Sequence, residues 1–128
     1  MAKKEYWKAE PDPHDFPAAG NYLALLLPEA HVAAVVRKLR AAPISHKKAK
    51  NLLRASRLQL LPADDPDVAR DLEKIGKGKL LAPVLLLRGH APSDVAMTIA
   101  DGYHRICASY HVDEDAEIPC RIVDAPPA

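Results

Sequence analysis

The pentapeptide Asp101-Gly102-Tyr103-His104-Arg105 concentrates residue types that handle anions and protons. It follows an apolar run ending at Ala100 and precedes an amphipathic segment. The spacing predicts a strand, a turn at Gly102 and a helix over 102–111. Backbone N–H groups at a helix start have no intrahelical partner and can hold an anion. Gly102 permits the turn and the close approach of a phosphate. Tyr103, His104 and Arg105 would supply the amides, and the Arg105 guanidinium could bridge phosphate oxygens. His104 could donate to a phosphate or move a proton. Asp101 could hold Mg²⁺ or act as a base toward a hydroxyl. A purely structural reading stands beside this one: Asp101 caps the helix and pairs with Arg105 at i, i+4.

Two other constellations carry candidate chemistry. His104, Cys107 and His111 share a helical face, with Cys120 on the next apolar segment, and such ligands could hold zinc. No CxxC or HExxH spacing accompanies them, and Cys107 reads as a small core thiol. No structural metal is therefore expected. Asp64, Asp65 and Asp67 precede a predicted helix. They suffice as capping residues, and Asp64 or Asp65 could supply a second acid across the site.

A third candidate is a block of charge. Residues 30–63 carry eight Lys or Arg and no acid, although the net charge of the 128 residues is only +1. A helix predicted over 46–57, capped by Ser45, would place Lys47, Lys50, Arg54 and Arg57 on one face, opposite Ala49, Leu52, Leu53 and Ser56. Such a face suits DNA or another acidic partner, and it also suits a plain solvated surface. With the preceding helix and the Pro43 turn it could form a helix-turn-helix.

These groups need elements to position them. The length suits one domain with its own core. No apolar run is long enough to cross a bilayer, and the N-terminus lacks the apolar stretch of a secretory signal. Two cysteines make no disulfide framework, so a cytoplasmic protein with reduced thiols and no membrane partner is expected. Residues 1–15 are proline-broken, but Tyr6, Trp7 and Phe16 favour an arm packed on the body. Asp15 is read as the cap of a helix over about 17–27. A second helix is expected over 29–41 after Pro28, with Val32, Val35, Val36 and Leu39 inward. A short strand is expected at 58–61. Asp65, Pro66 and Asp67 form a strong helix start, with Val68, Leu72 and Ile75 inward and a stop near Gly76 and Gly78. Residues 83–87, apolar on both faces, read as a central strand. Residues 95–100 read as its antiparallel neighbour. A last strand over 118–123 carries Pro119, which favours an edge.

Asp101-Gly102-Tyr103-His104-Arg105-Ile106-Cys107-Ala108 and the later Ile118-Pro119-Cys120-Arg121-Ile122-Val123 resemble the ParB/sulfiredoxin superfamily. Leu58–Leu61, the acidic helix start, Gly76-Lys77-Gly78 and Leu81–Leu86 are similar to its order of elements. The resemblance covers about residues 58–124. It implies a small mixed α/β sheet with helices, preceded by a helical N-terminal extension over 1–57. It also implies nucleotide binding through Gly102, His104 and Arg105, with phosphotransfer or nucleotide hydrolysis as the reaction and Mg²⁺ accompanying ATP, ADP or CTP. Asp101 matches the aspartate of the free-serine kinase branch. Tyr103 stands where sulfiredoxins carry their catalytic cysteine, so sulfinic acid reduction is not implied. A non-enzymatic DNA-associated module using the basic helix is the alternative. The extension could cover the site, act as a lid, or join two copies in a homodimer.

Overall fold

A computed structural model describes residues 5–127. Among these the chain forms five α-helices and a four-stranded mixed sheet. Helix α1 spans Asp15–Leu23. Asp15 lies inside its first turn rather than at the cap, which is His14, and its side chain is buried. Helix α2 spans Glu29–Ala41, as the apolar spacing predicts, with Val35 and Leu39 buried.

The helix expected over 46–57 is not formed as such. Ser45–Lys48 is a strand, β1, and helix α3 covers only Ala49–Ser56. The side chains of β1 are mostly exposed, so no alternation of apolar residues announced it. It exists because a neighbouring strand offers its edge. Extended chain and β1 therefore separate α2 from α3, and the helix-turn-helix arrangement is absent. Leu58–Leu61 is not a strand either. It runs along the last helix, where the Leu61 carbonyl lies 2.8 Å from His111 Nε2 and the Gln59 carbonyl accepts the Tyr103 hydroxyl.

Helix α4 spans Pro66–Gly76 with the expected cap: Asp65 Oδ2 accepts the amides of Asp67 and Val68, both at 3.1 Å. Strands β2 (Val84–Leu87) and β3 (Thr98–Asp101) then lead through helix α5 (Tyr103–Val112) to strand β4 (Glu117–Val123). The sheet order is β1-β4-β2-β3. β2 is antiparallel to β3 and parallel to β4, and β4 is antiparallel to β1.

β4 is thus interior, against the edge position expected from Pro119. Pro119 pairs with His46, while pairing with β2 starts only at Cys120. Proline has no N–H, so His46 and Pro119 form a pair without ladder hydrogen bonds. The proline nitrogen then faces the β2 side, one residue before that ladder begins.

β2 is buried on both faces, and its alternation sorts the core. Val84 and Leu86 join Leu52, Val68, Ile106 and Ile118 on one side. Leu85 and Leu87 join Phe16, Leu23, Val35 and Leu39 on the other. The described residues before 58, expected as a helical extension, therefore supply strand β1, the α1–α2 layer on one face of the sheet, and Trp7 and α3 in the core on the other. The N-terminal arm also packs on the body. Trp7 is buried, Lys8 N donates to the Leu81 carbonyl (2.7 Å), and the Tyr6 hydroxyl lies 2.7 Å from Ser109 Oγ. No helix among the described residues is long and apolar enough to cross a membrane.

Candidate functional site

β3 delivers Asp101 to the end of the sheet, and Gly102 turns the chain with φ +112°. A Cβ at this position would lie 2.4 Å from Val84 Cγ1 and 3.0 Å from Arg105 Nη2, so only glycine fits. α5 starts at once. The first amide bonded back into the turn is that of Ile106, which donates to the Gly102 carbonyl (3.1 Å). The amides of Tyr103, His104 and Arg105 lie ahead of the helical ladder, and no side chain caps them.

Arg105 points inward from this turn. Its Nη2 donates to Asp101 Oδ2 (2.6 Å) and its Nη1 to the Ala82 carbonyl (2.8 Å), while Asp15 Oδ2 lies 3.7 Å from Nη1. The three side chains are 14%, 21% and 7% exposed in the order Arg105, Asp101, Asp15. The i, i+4 pair expected on structural grounds is present, and it sits at the base of an open cleft. Burial pushes the Asp101 carboxyl above its ordinary range; Arg105 opposes the rise and Asp15 adds to it.

The cleft encloses about 410 Å³. Leu80, Leu81 and Ala82 line it beside three segments that supply its charged groups. The turn supplies Asp101, Gly102, Tyr103, His104 and Arg105. One face of α4 supplies Asp67, Arg70, Asp71 and Lys74 at helical spacing. The arm before α1 supplies Lys8, Asp12 and His14, with Asp15 from its first turn. Lys8 Nζ bonds Asp12 Oδ1 at 2.7 Å and holds that carboxyl below its ordinary range. His104 Nε2 stands 3.6 Å from Asp67 Oδ2, and Arg70 Nη1 stands 3.1 Å from Asp67 Oδ1. Asp71 is 9% exposed, and burial raises its carboxyl pKa against the opposing charges of Lys74, Arg105, His104 and Arg70.

The predicted site residues fall into three groups. Asp101, Gly102, Tyr103, His104 and Arg105 all line the cleft. Asp65 is spent on the α4 cap through Oδ2, and Asp64 is exposed outside the cleft. The acid beside Asp101 is Asp15, which the sequence marks only as a helix cap. The basic residues are divided: Lys47 is on β1, Lys50 and Arg54 on α3, and Arg57 beyond its end. Lys50 pairs with Asp115 at 2.7 Å and Arg57 with Asp94 at 2.5 Å, so the block of positive charge is partly neutralised by acids from the second half of the chain.

The thiol–histidine constellation does not converge. Cys107 and Cys120 are fully buried core residues whose thiols burial pushes up, His111 is exposed beside Leu61, and His104 faces the cleft. Two other groups have ligand atoms within 4.8 Å of one another, Asp12–His14–Asp15 and Asp65–Asp67–His104. The first lines the cleft, and the second shares Asp67 and His104 with it while Asp65 stays on the α4 cap. No family model, curated protein or solved structure matches the chain.

Proposed function

We propose that the cleft binds the phosphates of a nucleotide, in an α/β domain of the ParB/sulfiredoxin type. The observation that carries this reading is the uncapped start of α5 opening into a cleft with Lys8, Arg70 and Lys74 among its lining residues. Amides without intrahelical partners and the positive end of the helix favour an anion there. The lining carries four Lys or Arg against five Asp, so the attraction is local to the amides and to Lys74 beside them rather than a long-range field of the cleft. Arg105 has a different part from the one its type suggests. Tied to Asp101 and the Ala82 carbonyl, it holds the turn in shape so that the amides, not the guanidinium, meet the phosphate.

Asp101 is the group suited to proton transfer. It is largely buried beside a second carboxylate, and a raised pKa brings a carboxylic acid closer to the range where it exchanges protons at working pH. Phosphoryl transfer to a hydroxyl, or to water, would use Asp101 as the base, with His104 near the phosphates. The chemistry Mg²⁺ brings with a nucleotide is charge neutralisation of those phosphates.

Thermal unfolding with ATP, ADP, CTP and GTP, each with Mg²⁺, tests the reading. A ligand at one hundred times its Kd stabilises the fold by about 2.7 kcal/mol, a rise of several degrees in Tm. Lys74→Glu should reduce the shift, because it reverses a charge in the cleft without touching the Arg105 network. No shift with any of the four nucleotides would remove the proposal.

A further inference from the structure

We propose that a groove at the far end of the sheet from Gly102 binds an acidic segment of a partner protein, one whose carboxylates are spaced by aliphatic side chains. The site is separate from the phosphate cleft and stands whether or not a nucleotide binds.

β2 begins at Val84, whose side chain lies against Gly102, and ends at Leu87. Arg88 follows at the opposite end, where a cavity of about 410 Å³ opens. Arg54, Arg57 and Arg88 line it over Ala96, Met97 and Ile122, and no acid is among its lining residues. Two further cavities adjoin it through different residues. One, of about 400 Å³, shares Arg88 and Ile122 and adds Lys38. The other, of about 520 Å³, shares Arg54 and Arg57 and adds Lys50, Leu58 and Leu60. The three make one elongated groove in which five Lys or Arg face two acids, Glu114 and Asp124.

The cations are available to a partner. Arg54 reaches only Asn51 Oδ1, at 3.5 Å, and makes no ion pair among the described residues. Arg57 pairs with Asp94 and Arg88 with Asp124, but all four side chains are more than half exposed. Lys50 pairs with Asp115 at the surface too. Pairs so open to water are weak, and an arriving carboxylate can take the guanidinium over. The apolar wall is preformed. Gly89 packs on the backbone of residues 95–97, where a Cβ would come within 2.5 Å of the Val95 carbonyl oxygen. His90 N and Val95 N each donate to the other's carbonyl, and Met97 N donates to the Ala55 carbonyl at 3.0 Å. The loop from Arg88 to Met97 is thereby fastened to itself and to α3, so little ordering is left for binding to impose.

Shape and chemistry select the occupant. Three joined cavities suit a chain better than a compact small molecule. Tyr110 is the only Phe, Tyr or Trp in the lining, so single-stranded nucleic acid would find no stacking platform. An aliphatic floor under guanidinium groups matches carboxylates carried on an apolar segment. Lys38, Lys50, Arg54 and Arg57, all from the acid-free block of residues 30–63, thus share one surface with Arg88.

Fluorescence anisotropy of a short labelled peptide of alternating glutamate and leucine, titrated with the whole chain, tests the proposal. Saturable binding is expected. Serine in place of leucine should weaken it at least about tenfold, through loss of the apolar contacts. Arg54→Glu, Arg88→Glu and Val95→Asp should each weaken it at least about fivefold. Lys79→Glu, a charge reversal outside the groove, should leave it unchanged. All four positions are exposed, so the fold tolerates the substitutions. The proposal falls if the peptide does not bind, if the serine version binds as tightly, or if Lys79→Glu weakens binding as much as Arg54→Glu. It falls too if a single-stranded oligothymidylate binds more tightly than the peptide. Nucleotide titrations that fail while the peptide still binds would remove the phosphate reading and leave this one.

Discussion

Asp71 and Asp101 are two carboxylates displaced upward for the same main reason, burial, but in different company. Asp101 has Arg105 to offset the cost, whereas Asp71 has only charges at a distance. A carboxyl whose pKa is raised by folding contributes stability below its unfolded value of 3.8, and that contribution is lost as pH rises through the folded value. Asp71 is therefore a liability at neutral pH. Asp71→Asn should be more stable than the parent by about 1 kcal/mol at pH 7. The advantage should shrink as pH falls toward 3.8. Urea unfolding at several pH values measures it. An advantage that stayed constant or grew at low pH would mean that Lys74 and Arg70 already offset the burial. At this scale the sequence pointed to Asp101–Arg105 because a glycine, an acid and bases at i, i+3 and i+4 are local signals. Asp15 carries only a cap signal in the sequence, because its contact with Arg105 spans ninety residues of chain and leaves no local mark.

Elements whose reason for existing is local were legible. α2 has an apolar stripe, and α4 has Asp65 and Pro66 at its start. β1 had neither kind of mark, and its lysines and histidine suited an exposed helix face equally well. Its ladder can be deduced from Pro119. Because His46 and Pro119 cannot exchange hydrogen bonds, the bonded pairs are Ser45 with Cys120 and Lys47 with Ile118. The Ala49 amide donating to the Ala116 carbonyl at 3.0 Å continues that alternation. The Lys47 N–H thus points into the sheet and the His46 N–H points away. Lys47→Pro should destabilise the fold by about 2 kcal/mol more than His46→Pro, since it alone leaves a ladder acceptor unpaired. Equal effects at the two positions would favour a helix starting at 46, where proline is tolerated throughout the first turn. Chemical denaturation of the two variants gives the difference directly.

At the scale of the whole molecule, the resemblance divides the chain near residue 58, while the packing joins the two parts. One face of the sheet is covered by α1 and α2 through Phe16, Leu23, Val35 and Leu39, each nearly or fully buried. One edge of β4 is covered by β1, and the arm from Lys8 to Asp15 closes the cleft beside Asp101. Re-exposing a Leu, Val or Phe side chain costs about 1.5–3 kcal/mol, and domains of this size hold only about 5–15 kcal/mol in total. The four side chains of the covering layer, with Leu85 and Leu87 beneath them, are enough to consume that margin. A fragment of residues 58–128 should therefore not fold alone. Its amide proton spectrum should be collapsed and its thermal transition non-cooperative, while the whole chain unfolds in one step. Adding residues 1–57 in trans should restore dispersion only if β1 docks on β4, because that strand is the one element of the first part built into the sheet itself. A fragment with a dispersed spectrum and a sharp transition would show instead that the covering layer is an attachment, and that Asp15 reaches Asp101 by docking rather than by folding.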